Sequence, residues 1–533
     1  MARRASGNAG RKEVIIKTPT GLCKMCDHDQ CQVKCIIENG RLVRTESMPA
    51  GNPWTAWFKV EGCRKQQNIV ELVYHPARLN YPLKRKGARG DNKWQRISWD
   101  AALDEIAEKL ERLRKEYGAE TLAAICGFYN EQWDIGRFMH LFGSPNIESC
   151  DARICGGLEA FLNVVTYGGV AHYGPCEPEH TNLLVVWAGR PSITNPIKWE
   201  RGRKVEKLII VDPRRTDETR RADFHLQLRP GTDAALGLGW LHVIIGEELY
   251  DKEFVEKWCH GFDRLKERVQ KYPPQVVEEI TWVPKEQIIE SARLYARTKP
   301  AYIQWGTASG YFGLNAGEAE RVRCALRAIT GNLDVPGGNV FLPPHNFVPT
   351  LAELELPDAL PEEQKKKTLG AASGRFRVMS WEGFELLKNK KNVRAWVIRG
   401  APLPAIFHAM KHGDPYPVKA AIMLGCNPIV TVSNSRGVYE ALSKLELLVF
   451  SEVVMTPTSV LADYVFPVTM WIERPQISFL EHQNHMITGL RVLPKKVEGQ
   501  FDRGDDYDLF RGLGIRLGQE EHWPWKDLDE CYD

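Results

Sequence analysis

The chain has 533 residues, of which 43% are hydrophobic and 26% are charged. This composition is typical of a globular protein of several domains and excludes wholesale disorder. The net charge of +3 is nearly neutral, which argues against a protein whose main task is to neutralise nucleic-acid phosphates. Thirteen cysteines is an odd number at modest density, so the thiols indicate core residues and a ligand set rather than a disulfide scaffold.

The first thirteen residues predict a flexible basic tail. Their Arg3-Arg4 pair could open a twin-arginine export signal, but no apolar stretch follows it. No apolar run in the chain approaches the roughly 18 residues of a membrane span. We therefore expect a cytoplasmic protein without a membrane span.

A cysteine cluster follows the tail, in a region (14–80) that is rich in glycine and short β-type runs. The cysteines are Cys23, Cys26, Cys31, Cys35 and Cys63. Three thiolates that lie close together in the sequence, with a fourth thiolate farther along, favour a cubane iron–sulfur cluster. Structural zinc is the alternative, although zinc sites usually have two CxxC pairs and this region has one. Cys31 and Cys35 compete for the third place, and the alternating strand around Cys35 also fits a core thiol.

Downstream, the pattern predicts helices and buried strands. The segment 98–118 predicts a helix that is capped by Ser98 and ends at Gly118, and 236–249 predicts a buried helix. Four short apolar runs end in loop residues, as buried parallel strands do. They are 181–189, 207–215, 419–428 and 445–454. We expect two doubly wound α/β domains with ligands at the carboxyl ends of their strands.

Blocks along nearly the whole chain after the tail resemble the molybdopterin oxidoreductases, the dimethyl sulfoxide reductase superfamily. Besides the cysteine cluster they are YHPARLNYPLKR (74–85), QRISWDAALDEIAEKL (95–110), VDPRRTDETRRADFHLQLRPGTDAAL (211–236), LRAITGNLDVPGGNVF (326–341) and LADYVFPVTMWIERP (461–475). Segments 249–273 and 358–370 are similar to the acetylene hydratase branch. The resemblance implies an enzyme with a [4Fe–4S] cluster and a bis-molybdopterin guanine dinucleotide that holds molybdenum or tungsten.

The resemblance also implies an α/β fold with a small iron–sulfur domain followed by two interleaved, Rossmann-like domains. We expect the iron–sulfur domain at 14–80, a pterin-binding domain from 81–149 and 342–533, and a pterin-nucleotide-binding domain at 150–341. The segment 516–533 resembles the stretch before the superfamily's last domain. That resemblance leads us to expect a small partner subunit that supplies this domain, or a truncated chain.

The cluster ligands implied by the resemblance are Cys23, Cys26, Cys31 and Cys63. Two spacings depart from the superfamily pattern: four residues stand between Cys26 and Cys31, and the run before Cys63 is long. Lys65 matches a lysine between cluster and pterin, a position suited to electron passage. Its other interpretation is a solvated surface lysine.

For the molybdenum or tungsten ligand, Cys155 matches the position that carries cysteine or selenocysteine in formate dehydrogenase-like members. A soft thiolate suits a sulfur-rich site. Cys150 and Asp151 are rivals. Formate dehydrogenases follow this ligand with histidine, and here Gly156 follows, which argues against formate chemistry.

Nucleotide contacts are implied at the strand ends of both α/β domains. One set is Gly189, Asp212, Gly231 and Asp233, and the other is Gly425 and Asn427. Taken alone these residues have simpler interpretations, such as a turn at Asp212-Pro213 and a helix N-terminus at Asp233. Pro191 departs from the pattern, since asparagine commonly stands at that position.

Asp27 follows cluster ligand Cys26 and matches the catalytic aspartate of the acetylene hydratase branch. The alternative for Asp27 is a loop carboxylate that accepts backbone amides. Trp305 and Trp471 match tryptophans of that branch's apolar substrate pocket, or are core aromatics. By the same resemblance, His28 and Gly156 stand where that branch has isoleucines and Pro196 where it has another tryptophan, so we expect a more open and polar pocket.

Three functions remain from the sequence. The first is a two-electron oxidoreductase acting on a small organic substrate, with an electron-transfer partner; reductive dehydroxylation is an example. The second is a hydratase without net redox change, in which Asp27 is the acid and base. The third is a non-catalytic or truncated subunit that needs a partner for the last domain.

Overall fold

The computed structural model describes most of the chain. The described residues are 16–25, 31–47, 63–127, 133–149, 157–171, 176–194, 196–310, 315–341, 351–370, 381, 400–479 and 486–533. Within these ranges no helix is both long enough and apolar enough to cross a membrane.

Strands occur throughout the described ranges. They are β1 (Ile16–Lys17), β2 (Thr20–Cys23), β3 (Cys31–Glu38), β4 (Arg41–Ser47), β5 (Leu83–Arg85), β6 (Trp94–Arg96), β7 (Leu122–Cys126), β8 (Ile147–Ser149), β9 (Leu183–Trp187), β10 (Lys207–Val211), β11 (Phe224–Leu226), β12 (Ala301–Trp305), β13 (Ala420–Leu424), β14 (Leu447–Glu452), β15 (Tyr464–Pro467), β16 (Gln476–Phe479), β17 (Met486–Gly489), β18 (Lys496–Val497) and β19 (Phe501–Asp502).

Helices connect and cover these strands. They are α1 (Arg64–Gln67), α2 (Ile69–Val73), α3 (Trp99–Tyr117), α4 (Trp133–Phe142), α5 (Gly157–Tyr167), α6 (Pro191–Thr194), α7 (Pro196–Gly202), α8 (Asp233–Gly246), α9 (Lys252–Trp258), α10 (Phe262–Val269), α11 (Pro274–Thr281), α12 (Lys285–Arg297), α13 (Ala316–Ile329), α14 (Leu351–Glu355), α15 (Glu362–Lys365), α16 (Leu403–His412), α17 (Pro428–Thr431), α18 (Ser435–Ser443), α19 (Asp506–Arg516) and α20 (Leu528–Tyr532).

The first sheet is small and antiparallel. Strand β3 pairs antiparallel with each of β1, β2 and β4. The register sets Cys23 opposite Cys31. Val33 and Cys35 are fully buried in the core of this sheet, together with Trp471 from far along the chain.

The second sheet has four parallel strands in the order β11-β10-β9-β12. Every residue of β9 is buried, because helices cover a parallel sheet on both faces. On one face α8 contacts α12 and α13. The strands and helices of this sheet are contiguous in the sequence.

The third sheet has seven strands in the order β6-β5-β15-β14-β13-β7-β8. Its central strands are parallel, and β5 and β6 form an antiparallel edge. The strands β7 and β13 pair directly although Leu122 and Ala420 are far apart in sequence. The third sheet therefore joins the first and last parts of the chain around the second.

The predicted α/β class, with parallel sheets, is confirmed. The four apolar runs predicted as parallel strands contain β9, β10, β13 and β14, and α3 is capped by Ser98, whose side chain accepts from the amide of Ala101. The helix predicted at 236–249 begins earlier, at Asp233, and ends at Gly246. It ends there because Glu248 has a left-handed φ of 57°, which continues no helix.

Candidate functional site

Each parallel sheet has one point where the strand order reverses. In the four-stranded sheet the chain runs outward from β9 through β10 to β11, and β12 then returns to the other side of β9. In the seven-stranded sheet β8 lies on one side of β7, and β13, β14 and β15 lie on the other. Ligands of doubly wound folds bind beyond the carboxyl ends of the strands at such switch points.

Glycines bring the two strands very close at the switch point of the four-stranded sheet. A Cβ atom on Gly306, which follows β12, would lie 2.0 Å from the carbonyl oxygen of Ala188, which follows β9. Gly189 is the next residue, and its nearest neighbours include the Cα of Gly306. No side chain fits between these loops, so backbone groups form the sheet edge at this point.

The seven-stranded sheet has the same arrangement between β7 and β13. A Cβ on Gly127 would lie 2.2 Å from the carbonyl oxygen of Gly425. Gly425 itself has a left-handed φ of 52°, and a Cβ there would meet no atom of the described residues within 4 Å. Among the described residues, the backbone at Gly425 therefore borders open space at the switch point. Gly127 and Gly306 escaped the sequence prediction, although each directly follows an apolar strand as Gly189 and Gly425 do.

Asp212 and Asp233 lie near the strand ends of the four-stranded sheet, as predicted, and both carboxylates have protein partners. The Asp212 carboxylate accepts from the backbone amide and the guanidinium of Arg214 at 2.8–3.0 Å. Asp233 is the first residue of α8, and its Oδ1 accepts from Nε1 of Trp187 at 2.8 Å. Asp212 thus holds the turn at Arg214 and Asp233 holds the indole of Trp187, and both carboxylates leave further acceptor sites on their oxygens.

The remaining nucleotide candidates also lie in loops beside the strand ends. Gly231 has a left-handed φ of 81° and precedes α8. Asn427 precedes the short helix α17, and its Oδ1 accepts from the hydroxyl of Thr458 at 2.6 Å. Arg190 follows Gly189, and its Nε is buried without a hydrogen-bond partner among the described residues. The edge of the four-stranded sheet at Arg190 therefore offers a buried hydrogen-bond donor to a polar ligand.

Four of the five cysteines of the cluster lie within the described residues, and of Cys31 only the backbone is described. Cys23 is buried at the end of β2, beside the backbone of Cys31, and Cys63 is half-buried just before α1. Burial raises the pKa of the Cys35 thiol to about 12, which keeps it protonated in the core. No three metal-ligating side chains converge within the described ranges, which leave out the side chain of Cys31 and all of Cys26.

Several other candidates lie outside the described residues, and their roles stay predictions. They are Asp27, His28, Cys150, Asp151, Cys155 and Gly156. The backbone of Pro196 opens α7, and its side chain is not described.

Lys65 links the small N-terminal sheet region to the four-stranded sheet. It lies in α1, and its Nζ donates to the carbonyl oxygen of Thr194 at 3.1 Å. Thr194 is the last residue of α6, the helix that follows Gly189. The lysine is therefore not merely solvated, since it reaches the loop at the switch point.

The two tryptophan candidates have different surroundings. Trp305 is the last residue of β12, paired in register with Trp187 and followed by Gly306, so it lies at the switch point. Trp471 is 6% exposed and packs close to Gly21 in the core of the first sheet. Its indole nitrogen is buried and has no hydrogen-bond partner among the described residues.

Comparisons with known proteins agree with this arrangement. The molybdopterin oxidoreductase family model matches residues 78–514. The chain is 37% identical to an acetylene hydratase of Syntrophotalea acetylenica over 535 residues, which cover 97% of this chain and 70% of that protein. It is 28% identical to formate dehydrogenase H of Escherichia coli (strain K12) over 537 residues, with the same two coverages.

A solved structure of acetylene hydratase from Pelobacter acetylenicus superposes with a TM-score of 0.85 at 35% sequence identity. The match covers 96% of this chain and 71% of that one. The switch-point glycines, the parallel sheets and the extent of these matches lead to one conclusion. The chain is an enzyme of the molybdopterin oxidoreductase family.

Proposed function

We propose that the chain is an iron–sulfur enzyme that binds molybdenum or tungsten through two molybdopterin guanine dinucleotides and performs two-electron chemistry on a small organic substrate. The pair of glycine-lined switch points, one on each parallel sheet, is the observation that supports this most strongly. Nucleotides bind at such points, and a bis-pterin cofactor has two nucleotide ends. Each sheet would hold one of them.

Family membership implies a pterin-bound molybdenum or tungsten cofactor, and the residues at both edges fit its nucleotide ends. Gly425 borders open space, and the buried Nε of Arg190 is available to an acceptor. We assign one nucleotide to Gly189, Asp212, Gly231 and Asp233, and the other to Gly425 and Asn427.

We assign the metal and cluster ligands from the cysteines. Cys155 would hold molybdenum or tungsten through its thiolate, and the [4Fe–4S] cluster would be held by Cys23, Cys26, Cys31 and Cys63. Lys65 lies between α1 and the switch-point helix α6, which suits a residue beside the electron path. When bound, the cofactor supplies the two-electron redox chemistry.

The chain's own side chains would bind and orient the substrate. Trp305 at the switch point and Trp471, with its buried indole nitrogen, would line an apolar wall. His28 would add a polar side chain to the pocket. Asp27 would exchange a proton with the substrate as a general acid or base.

The cluster assignment can be tested on the anaerobically purified native protein. We expect four irons, one molybdenum or tungsten and two guanine nucleotides per chain. Cys31→Ala should lose iron and the low-temperature EPR signal of the reduced cluster. Cys35→Ala is the matched control because its thiol is a core group, and it should keep both. Full iron content in Cys31→Ala with loss in Cys35→Ala would reverse the third-ligand assignment.

Hydration is the second candidate, because of the similarity to proteins named acetylene hydratase. A hydratase turns acetylene over with no electron donor or acceptor present, whereas a two-electron oxidoreductase stops when its electron-transfer partner is withheld. In a hydratase, Asp27→Asn should abolish this turnover and Asp29→Asn, two residues on, should not. Acetylene turnover without any redox partner would favour hydration over the proposed redox chemistry.

A further inference from the structure

The buried face of the first sheet carries the candidate cluster ligand Cys23. The register sets Gly21 opposite Val33 and Cys23 opposite Cys31, and alternate residues of a strand point to the same face. Gly21 and Cys23 therefore share one face with Val33, which is fully buried. Cys23 itself is 5% exposed, so a group bound to its thiolate would lie against a nearly dry face.

The indole ring of Trp471 covers this face. Its Cζ3 atom lies 3.1 Å from the position that a Cβ on Gly21 would occupy, and the side chain of Val492 packs beside the same position. The absence of a side chain at Gly21 thus makes room for the ring, two residues before Cys23. Trp471 and Cys23 belong to the same hydrophobic core. The tryptophan therefore lies on the side of the sheet that carries the candidate ligand.

Buried hydrogen bonds hold the turn that carries Trp471. The carboxylate of Glu473 accepts from the backbone amide of Met470 at 2.8 Å and from the guanidinium of Arg78 at 2.5 Å. The side-chain amide of Gln476 donates to the carbonyl oxygen of Trp471 at 3.1 Å. Glu473 and Gln476 are both buried. The backbone of Trp471 is therefore fixed by the chain itself, on both sides of the residue.

The indole N–H of Trp471 is a buried donor without an acceptor. The side chain is 6% exposed, and its Nε1 has no hydrogen-bond partner among the described residues. Such a group costs about 1–3 kcal/mol, and buried indoles usually have a partner. The indole of Trp240, which is also buried, donates to the hydroxyl of Ser291 at 2.9 Å. The contrast indicates that the acceptor for Trp471 belongs to a bound group.

We propose that the indole N–H of Trp471 donates a hydrogen bond to a sulfur of the iron–sulfur cluster that Cys23 helps to hold. Hydrogen bonds to the sulfurs raise the reduction potential of such a cluster, because they stabilise the negative charge that reduction adds. The inference rests on the proposed function, which places the cluster at Cys23. It gives the nitrogen edge of Trp471 a role in setting the potential, separate from the role of the ring in the substrate pocket.

Pulsed EPR of the reduced cluster in the full-length holoenzyme tests the contact directly. The protein is purified anaerobically with its tryptophans labelled with 15N at the indole nitrogen alone. We expect the cluster signal to show a 15N coupling and the coupling of an exchangeable proton, and Trp471→Phe should lose both. Trp240→Phe is the matched control, because it also removes a buried indole N–H, and it should keep both couplings. If Trp471→Phe fails to fold, Trp471→Tyr fills more of the indole volume and should likewise lose the nitrogen coupling.

The midpoint potential of the cluster, from an anaerobic redox titration of the same EPR signal, measures the consequence. Trp471→Phe keeps an aromatic ring and removes the donor, so its potential should be more negative than that of the native chain, whereas Trp240→Phe should leave the potential unchanged. A native cluster signal without the 15N coupling, or the same potential in Trp471→Phe, would overturn this inference alone. A native chain without iron and without the cluster signal would overturn the proposed function as well.

Discussion

The two parallel sheets have the same backbone at their switch points and different charges behind them. Both bring two strands together through glycines, at Gly306 in one sheet and Gly127 in the other. Behind the four-stranded sheet, the fully buried guanidiniums of Arg323 and Arg327 share the carboxylate of Glu320, all within α13. In the seven-stranded sheet, two buried acids with raised pKa values lie where β14 ends. The edge geometry is therefore common to both sheets, and the electrostatic environment is specific to each.

The seven-stranded sheet has a buried acidic pair where β14 ends. Burial raises the pKa of Glu452 to about 7, and the nearby charge of Asp506 contributes to the rise. The Asp506 carboxylate accepts from the hydroxyl of Ser451 at 2.5 Å, and the nearest guanidinium nitrogen of Arg474 is 3.8 Å away. Burial also raises the pKa of Asp506. The difference teaches that the carboxylate behind the four-stranded sheet is paired within one helix, whereas the end of β14 combines two acids of raised pKa with a buried Glu473 that accepts from Arg78 and Arg503.

The largest expected effect comes from breaking the ion pairs of the four-stranded sheet. Glu320→Gln leaves two buried guanidiniums without their shared carboxylate, and we expect the free energy of unfolding to fall by about 3–5 kcal/mol. Asp506→Asn should cost only about 1 kcal/mol, because its amide oxygen can still accept from the Ser451 hydroxyl and burial already disfavours a charge at this position. Urea denaturation measures both. Glu247→Gln, which breaks a half-exposed pair with Arg293, is the control at about 0–1 kcal/mol. Equal losses in the two sheets would contradict the comparison.

A smaller effect is expected when the shared geometry is disturbed. Gly306→Ala and Gly127→Ala should each lower the free energy of unfolding by about 1–3 kcal/mol, since the methyl group would overlap a backbone oxygen and push the strands apart. Thermal unfolding measures the loss of stability, and the nucleotide content of the purified variants measures the effect on cofactor binding. Gly246→Ala is the matched control, because a Cβ at the end of α8 meets nothing within 4 Å. The two switch points would not be equivalent if only one substitution were destabilising.

The smallest effect concerns pH. A carboxyl whose folded pKa is raised binds its proton more tightly in the folded state, so its stabilising contribution is complete below the unfolded pKa and is lost as pH rises through the folded value. For Glu452 the window runs from 4.5, the ordinary pKa of a glutamate side chain, to about 7. Glu452→Gln should flatten the fall in stability across this window by about 1 kcal/mol or more. The free energy of unfolding is measured by denaturation at several pH values. If Glu452 is not the titrating group, Glu452→Gln will lose stability with rising pH as steeply as the native chain.

The strands and the capped helix were predictable because their causes are local. A strand buried on both faces must be continuously apolar, as LLVVW and AAIML are. Helix α3 begins after Ser98, which caps its N-terminus, and ends at Gly118, whose backbone freedom allows the chain to leave the helix. The apolar run alone placed the start of α8 too late, at Leu236, whereas the turn at Gly231 lets the helix begin at Asp233, the alternative interpretation of that residue.

The cluster of buried charges around Glu320 was beyond prediction from the sequence. Asn163 and Glu320 are separated by 157 residues and meet only when α5 packs against α13. Arg323 and Arg327 have the spacing of an ordinary helical surface, yet they are fully buried. The candidate ligands Cys26 and Cys155 lie outside the described residues, so their roles stay predictions from the sequence.

The strand order of the seven-stranded sheet has a consequence for synthesis on the ribosome. Strand β7 cannot pair with β13 until β13 has been synthesised, and Leu122 and its partner Ala420 are separated by about 300 residues. At roughly 5–20 residues per second, that wait lasts roughly 15–60 s. The four-stranded sheet, from Leu183 to Trp305, is complete in sequence during that interval. Throughout translation of the middle of the chain, the apolar faces of β7 and α3 therefore need protection from aggregation, and a chaperone is the natural source of it.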